Sequence, residues 1–180
     1  MLKNALLYAD QVKTKFLETW YDPKYQYYYG QHQRWIYGGE ADHKSWVRQF
    51  VSVDKNDNVI GFFSYTMDLD TMLAYDFEII NFTDNPYTFS RDLYHLFDDI
   101  FLKHGFRTIE CRVLCGNPIE KSYDRMFRRL GGRILCQRTS RAKTMNGQLV
   151  DDKLYELTWE QYDAYRASRP RSSTKNGESL

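Results

Sequence analysis

Between residues 72 and 136 the sequence switches back and forth between two hydrophobic periods, and this alternation limits the fold more than any single motif does. Tyr75, Phe77 and Ile79 alternate with Asp76, Glu78 and Ile80 at the period of a strand, until Thr83-Asp84-Asn85-Pro86 breaks the pattern. Leu93, Leu96, Phe97, Ile100 and Phe101 then recur at helical spacing up to His104-Gly105, where glycine suits a left-handed carboxy-terminal cap. Ile109, Cys111, Val113 and Cys115 share one face of the next strand; Glu110 and Arg112 take the other, which Leu114 leaves partly apolar. Asn117-Pro118-Ile119-Glu120 is a helix start, with a capping side chain, proline at the first helical position and a carboxylate three residues after the cap. Ile119, Tyr123, Met126, Phe127 and Leu130 form its apolar face, Gly131-Gly132 ends it, and residues 133–136 begin a further strand. Strands and helices in alternation pack as layers, so the fold class is α/β.

On either side of this segment the sequence adds antiparallel pieces. Leu2, Ala5, Ala9, Val12 and Phe16 predict an amphipathic first helix ending before Asp22-Pro23. Residues 46–53 and 59–65 predict a hairpin across a polar turn, and residues 137–144 predict a last hairpin with 153–158 across Asn146-Gly147. A chain of 180 residues fits one domain, here residues 1–165; residues 166–180, rich in Ser, Arg, Pro and Gly, are expected to be a disordered tail.

Composition removes several function classes. The formal net charge is +1, so no global field draws in nucleic acid or an anionic membrane. The aromatic run from Trp20 to Tyr37 has only Lys24 and Arg34 near it, which disfavours a single-strand nucleic-acid surface; it reads either as ordinary packing or as the wall of a cleft. No apolar stretch reaches the roughly 20 residues that span a bilayer, and no signal-like order opens the chain, so the expected location is cytoplasmic. Cys111, Cys115 and Cys136 lie in or beside apolar segments and read as small buried hydrophobes of a reducing compartment. The four histidines and three cysteines have no zinc spacing, so no metal is expected, and no phosphate-binding P-loop, dinucleotide turn or nucleophile elbow is present.

Over residues 2–165 the order of elements resembles that of the GNAT acyltransferase superfamily, some bacterial and bacteriophage members in particular. The stretch from Asn117 to Arg125, followed by Leu130-Gly131-Gly132-Arg133, is similar to that family's asparagine, helix, tyrosine, glycine stretch. Asn146-Gly147-Gln148 and the run from Asp151 to Leu157 resemble the last hairpin of members that acylate amines. The resemblance implies a mixed, mostly antiparallel sheet with a splayed parallel strand pair and helices on both faces. It also implies acetyl-coenzyme A as co-substrate, a primary amine of a small molecule or protein as acceptor, and a monomer or homodimer.

Carried onto this chain, the resemblance makes Glu78 the general base and Tyr123 the acid that protonates the leaving thiolate. Aligning on Gly131 instead puts Phe127 at the tyrosine's place, and Glu78 also reads as a solvent-facing strand carboxylate. Coenzyme contacts fall at Ile79 and Ile80 on the strand, at Tyr87, Phe89, Ser90 and Arg91 at the start of the next helix, and at Asn117, whose capping role alone accounts for it. Tyr87 and Phe89 stand at the family's two signature glycines and Asp84 at its basic or amide position. An acidic group at that entrance opposes a pyrophosphate, and Arg91 is the nearby compensating charge. The rival expectation is a GNAT-shaped interaction protein that has lost coenzyme binding.

Overall fold

The structure, a computed structural model, describes residues 1–20, 22–27, 46–84, 86–144 and 146–168. Its strands are β1 (Leu2–Asn4), β2 (Val47–Val53), β3 (Val59–Asp68), β4 (Leu73–Asn81), β5 (Thr108–Leu114), β6 (Arg133–Lys143) and β7 (Leu149–Thr158), and its helices are α1 (Ala9–Thr19), α2 (Pro86–Asp98), α3 (Glu120–Leu130) and α4 (Trp159–Ser168). The strands form one sheet in the order β1-β2-β3-β4-β5-β7-β6. Every pairing is antiparallel except that of β4 with β5. One core joins Tyr65, Phe97, Ile100, Phe127 and Leu157 on the α2, α3 and α4 side; the other joins Val12, Phe16, Phe62 and Ile80 beneath α1. Helices therefore cover both faces of the sheet.

The parallel pair is short. Only Leu73↔Thr108 and Ala74↔Ile109 are in register before the strands part. A bulge explains part of this. The register with β3 passes from Ser64↔Glu78 to Thr66↔Tyr75, so two β4 residues oppose Tyr65, and Asp76 adopts φ +52°. An extra residue bends and twists its strand. It also resets the alternation read from sequence, in which Tyr75 shares a face with Phe77 and Ile79. Ala74 packs in the core with Phe77 and Ile79 instead, and Tyr75 is exposed.

Other expectations are corrected at their edges. Leu2 is not in the first helix: it pairs with Ser52 on the sheet edge, and Asn4 Oδ1 then accepts from the Leu6 N–H at 2.9 Å, opening a 3₁₀ turn that leads into α1. The two late strand segments are one strand, β6, with a bulge around Ser140 (φ +49°) where the Asp151 carboxylate accepts from Ser140 N–H and Gln137 Nε2. Cys111 is buried, as read, but Cys136 is exposed on that edge strand.

Helix α4 carries the chain past the boundary expected at residue 165; residues 169–180, most of the expected tail, lie outside the described residues. Its signal is a capping box: Thr158 N–H donates to Gln161 Oε1 at 2.9 Å and Gln161 N–H to Thr158 Oγ1 at 3.4 Å. Tyr162 anchors it, stacked on Phe101 at 4.9 Å and donating to Asp98 at 3.0 Å. Among the described residues no helix is long and apolar enough to cross a membrane, and no group of His, Cys, Asp and Glu is placed to hold a metal. Most of the aromatic run before residue 38 lies outside the described residues.

Candidate active site

Where β4 and β5 part, a cleft of about 620 Å³ opens. Asp76, Glu78, Ile79 and Ile80 of β4 line it opposite Arg112 and Val113 of β5. From the helices come Phe89, Ser90, Leu93 and Tyr94 of α2 and Ser122, Tyr123, Arg125, Met126 and Arg129 of α3; Phe16 and Tyr27 line it on the α1 side. No β-ladder pairing crosses the gap beyond Ala74 and Ile109, so the facing strand edges are available to a ligand with amide groups of its own.

Glu78, half-buried, stands opposite Ser64 on the face that β4 shows to the α1 side, next but one to Ile80. Tyr123 is 9% exposed and lines the cleft, its ring 6.3 Å from Phe127 and 6.1 Å from Tyr155. Phe127 does not line it; 1% exposed, it faces a separate cavity of about 160 Å³ beside Tyr155. Counting from Asn117 therefore places a phenol in the cleft, and counting from Gly131 gives a core phenylalanine. Asn117 also lines the cleft. Its side chain accepts from the Ile119 N–H at 3.1 Å and its carbonyl from the Glu120 N–H at 2.9 Å, while Glu120 reaches back to the Gly116 N–H. The capping chemistry is present, although the regular helix begins at Glu120.

The start of α2 differs from the sequence expectation. Phe89 and Ser90 line the cleft; Tyr87 and Arg91 do not. Tyr87 is 76% exposed. Arg91 Nε lies 3.5 Å from Asp92, a carboxylate 1% exposed that also accepts from Ser52 Oγ at 2.6 Å and lies 2.8 Å from the Met1 amino nitrogen. Phe89 turns into the core, stacked on Phe63 at 4.7 Å and fitted over Gly61. Asp84 projects into solvent, and a 2.8 Å bond from Lys24 holds its carboxyl below the usual range.

Two cations of the cleft, Arg125 and Arg129, were not singled out from the sequence. The signal is their spacing of four, which puts both on the α3 stripe beside Met126.

The opposite side of α3 is tied to the sheet. Asp124 accepts from Tyr155 Oη at 2.7 Å and from Lys153 Nζ at 3.1 Å, and Lys153 also pairs with Glu120 at 2.7 Å. The Tyr155 hydroxyl, with Lys153 behind it, holds the Asp124 carboxyl low; burial, then the bond to Asp124, pushes the Tyr155 phenol up. A folded-state value below the unfolded one, about 3.9, gives stability that is complete above about pH 4 and fades as pH falls through the folded value. Asp124→Asn is therefore expected to cost stability at neutral pH and progressively less in acid. Urea midpoints measured across that range check this; an equal deficit at every pH would contradict it.

No protein-family model and no curated protein sequence matches the chain. Solved structures do. Mutant forms of the spermidine/spermine N-acetyltransferase SpeG from Vibrio cholerae superpose with a TM-score of 0.59 at 21% identity, over 69% of this chain and 71% of theirs. A chimera of the Vibrio cholerae enzyme with hSSAT gives 0.63 at 20% identity over 91% and 99%. The dodecameric spermidine N-acetyltransferase of the same organism gives 0.55 at 22% identity over 67% and 69%. With helices on both faces of a mostly antiparallel sheet whose one parallel pair parts into a cleft, this chain has the GNAT fold.

Proposed function

We propose that the protein is an N-acetyltransferase that moves an acetyl group from acetyl-coenzyme A to a primary amine of a small molecule or protein. The observation that carries this reading is the cleft at the parted strands, with a carboxylate, Glu78, on one wall and a phenol, Tyr123, on another. The fit to the coenzyme is good along its amide-bearing arm, which the facing edges of β4 and β5 would hold as added strands are held. Acetyl-coenzyme A supplies the activated acyl carbonyl.

The residues do the rest. An ammonium is no nucleophile, so Glu78 takes a proton from the acceptor, at a carboxylate oxygen or through one water. A strand N–H at the gap polarises the acyl oxygen, Tyr123 gives its proton to the departing sulfur, and the apolar wall of Ile79, Leu93, Val113 and Met126 keeps water back. The neighbours' names make spermidine and spermine the first acceptors to try. Three unpaired thiols suit the cytoplasm.

Isothermal titration with acetyl-coenzyme A, with coenzyme A and ATP as controls, tests the reading, followed by thiol release with a panel of amines. Saturable micromolar binding and amine-dependent release support it. No binding at millimolar ligand by folded protein overturns it and favours a ligand-binding or interaction protein of the same shape, the reading for which Asp84, at the opening of α2, speaks.

A further inference from the structure

The start of α2 offers a phosphate little, with Asp84 98% exposed at its entrance, a core phenylalanine at position 89 and Arg91 beside Asp92. The positive charge of the cleft lies elsewhere. Of its basic lining residues, Arg112 stands 3.8 Å from the fully buried Asp152. Arg125 and Arg129, one turn apart on α3, have no carboxylate partner among the described residues: Arg125 reaches Ser122 Oγ at 3.4 Å, and Arg129 lies 6.0 Å from the centre of the Tyr165 ring. Ser90, Tyr94 and Ser122 add hydroxyls to the same stretch between α2 and α3. The lining carboxylates, Asp76 and Glu78, both come from β4. The cleft is polarised, with donors between the helices and acceptors on the strand.

We propose that Arg125 and Arg129 form the phosphate-binding end of this cleft, so that a phosphorylated coenzyme is held by guanidinium groups of α3 rather than by amides at the start of α2. The inference rests on the acyltransferase reading and adds to it. Guanidinium groups match phosphate with paired, charge-assisted hydrogen bonds and stay charged at any working pH. Glycine and a free helix terminus are then dispensable at α2, and an aspartate at position 84 is tolerated because the anion lies across the cleft from it. Exposed pairs of this kind are screened by salt, so affinity falls with ionic strength.

The test is titration of the full chain with acetyl-coenzyme A, its 3′-dephospho form and S-acetylpantetheine, which has no phosphate. Arg125→Ala and Arg129→Ala are each expected to weaken acetyl-coenzyme A binding by about 10-fold or more, as loss of a charge-assisted hydrogen bond does. The double variant should bind S-acetylpantetheine as the unaltered protein does and show a flatter salt dependence. Lys121→Ala, an exposed charge on α3 outside the cleft lining, is the control. If the double variant no longer distinguishes acetyl-coenzyme A from its dephospho form, the arginines read the 3′-phosphate; if it still does, they read the pyrophosphate. A double variant with unchanged acetyl-coenzyme A affinity, or one that loses S-acetylpantetheine equally, overturns the inference and leaves the acyltransferase reading standing. Absence of acetyl-coenzyme A binding by the unaltered protein overturns both.

Discussion

Glu78→Gln is expected to lower kcat for acetyl transfer by about 10²- to 10⁴-fold, the contribution of a positioned general base, and to leave acetyl-coenzyme A affinity unchanged. Glutamine keeps the volume and hydrogen-bonding reach of glutamate at a half-buried strand position opposite Ser64, but it cannot take the proton that keeps an ammonium from attacking. The loss should therefore appear in kcat rather than in coenzyme binding, and it should shrink as pH rises toward the pKa of the amine, where the acceptor arrives already neutral. Tyr123→Phe is the companion variant. It keeps the ring between Phe127 and Tyr155 and removes only the hydroxyl proposed as the acid for the departing sulfur. A Glu78→Gln protein with full activity over the whole pH range would remove Glu78 from the mechanism. A pH-independent deficit would make it a residue that shapes the cleft instead.

How much of this was legible in the sequence follows from the range of the interactions involved. Helix α3 announces itself locally, because Asn117 and Glu120 satisfy backbone donors within a few residues of themselves. The alternation of Ile109, Cys111 and Val113 is equally local, and β5 buries those three as read. Gly131, at φ +83°, ends α3 where a side chain would be strained. What the sequence hid depends on partners distant along the chain. The bulge in β4 exists only against β3, so a strict alternation through Tyr75 is the natural reading and the wrong one. Arg91 reads as a first-turn cation in the sequence, but α2 begins at Pro86, which puts it in the second turn, beside Asp92 and off the cleft lining, and Asp92 is itself held by Ser52 at the end of β2. Arg125 and Arg129 look like the solvated face of an amphipathic helix until the parting of β4 from β5 makes a cleft beside them. Helix α4 is a plainer omission, since its capping residues Thr158 and Gln161 stand in the sequence at the required spacing.

Gly61→Ala is expected to destabilise the fold by about 3 kcal/mol, the upper part of the range for overpacked cores. A methyl group at position 61 would lie 2.3 Å from Phe89 Cδ2 and 2.4 Å from Cε2, with the Ile80 carbonyl oxygen at 3.0 Å closing the other side. The ring must leave its stack on Phe63, and the cleft it already lines is the space beside it. Loss of stability and loss of acetyl-coenzyme A affinity should therefore come together. Phe89→Leu shortens the offending ring and on its own costs stability through the space it leaves. Combined with Gly61→Ala it should cost less than the two separate losses added, with a coupling of about 0.5–3 kcal/mol, and it should return part of the coenzyme affinity. Urea unfolding of the four proteins, read as midpoints at constant slope, gives the coupling, and titration gives the affinity. Strict additivity would mean that Phe89 is not held by the notch at Gly61. Coupling in stability without any change in affinity would mean that the displaced ring moves away from the cleft, and that Phe89 sets the packing of α2 alone.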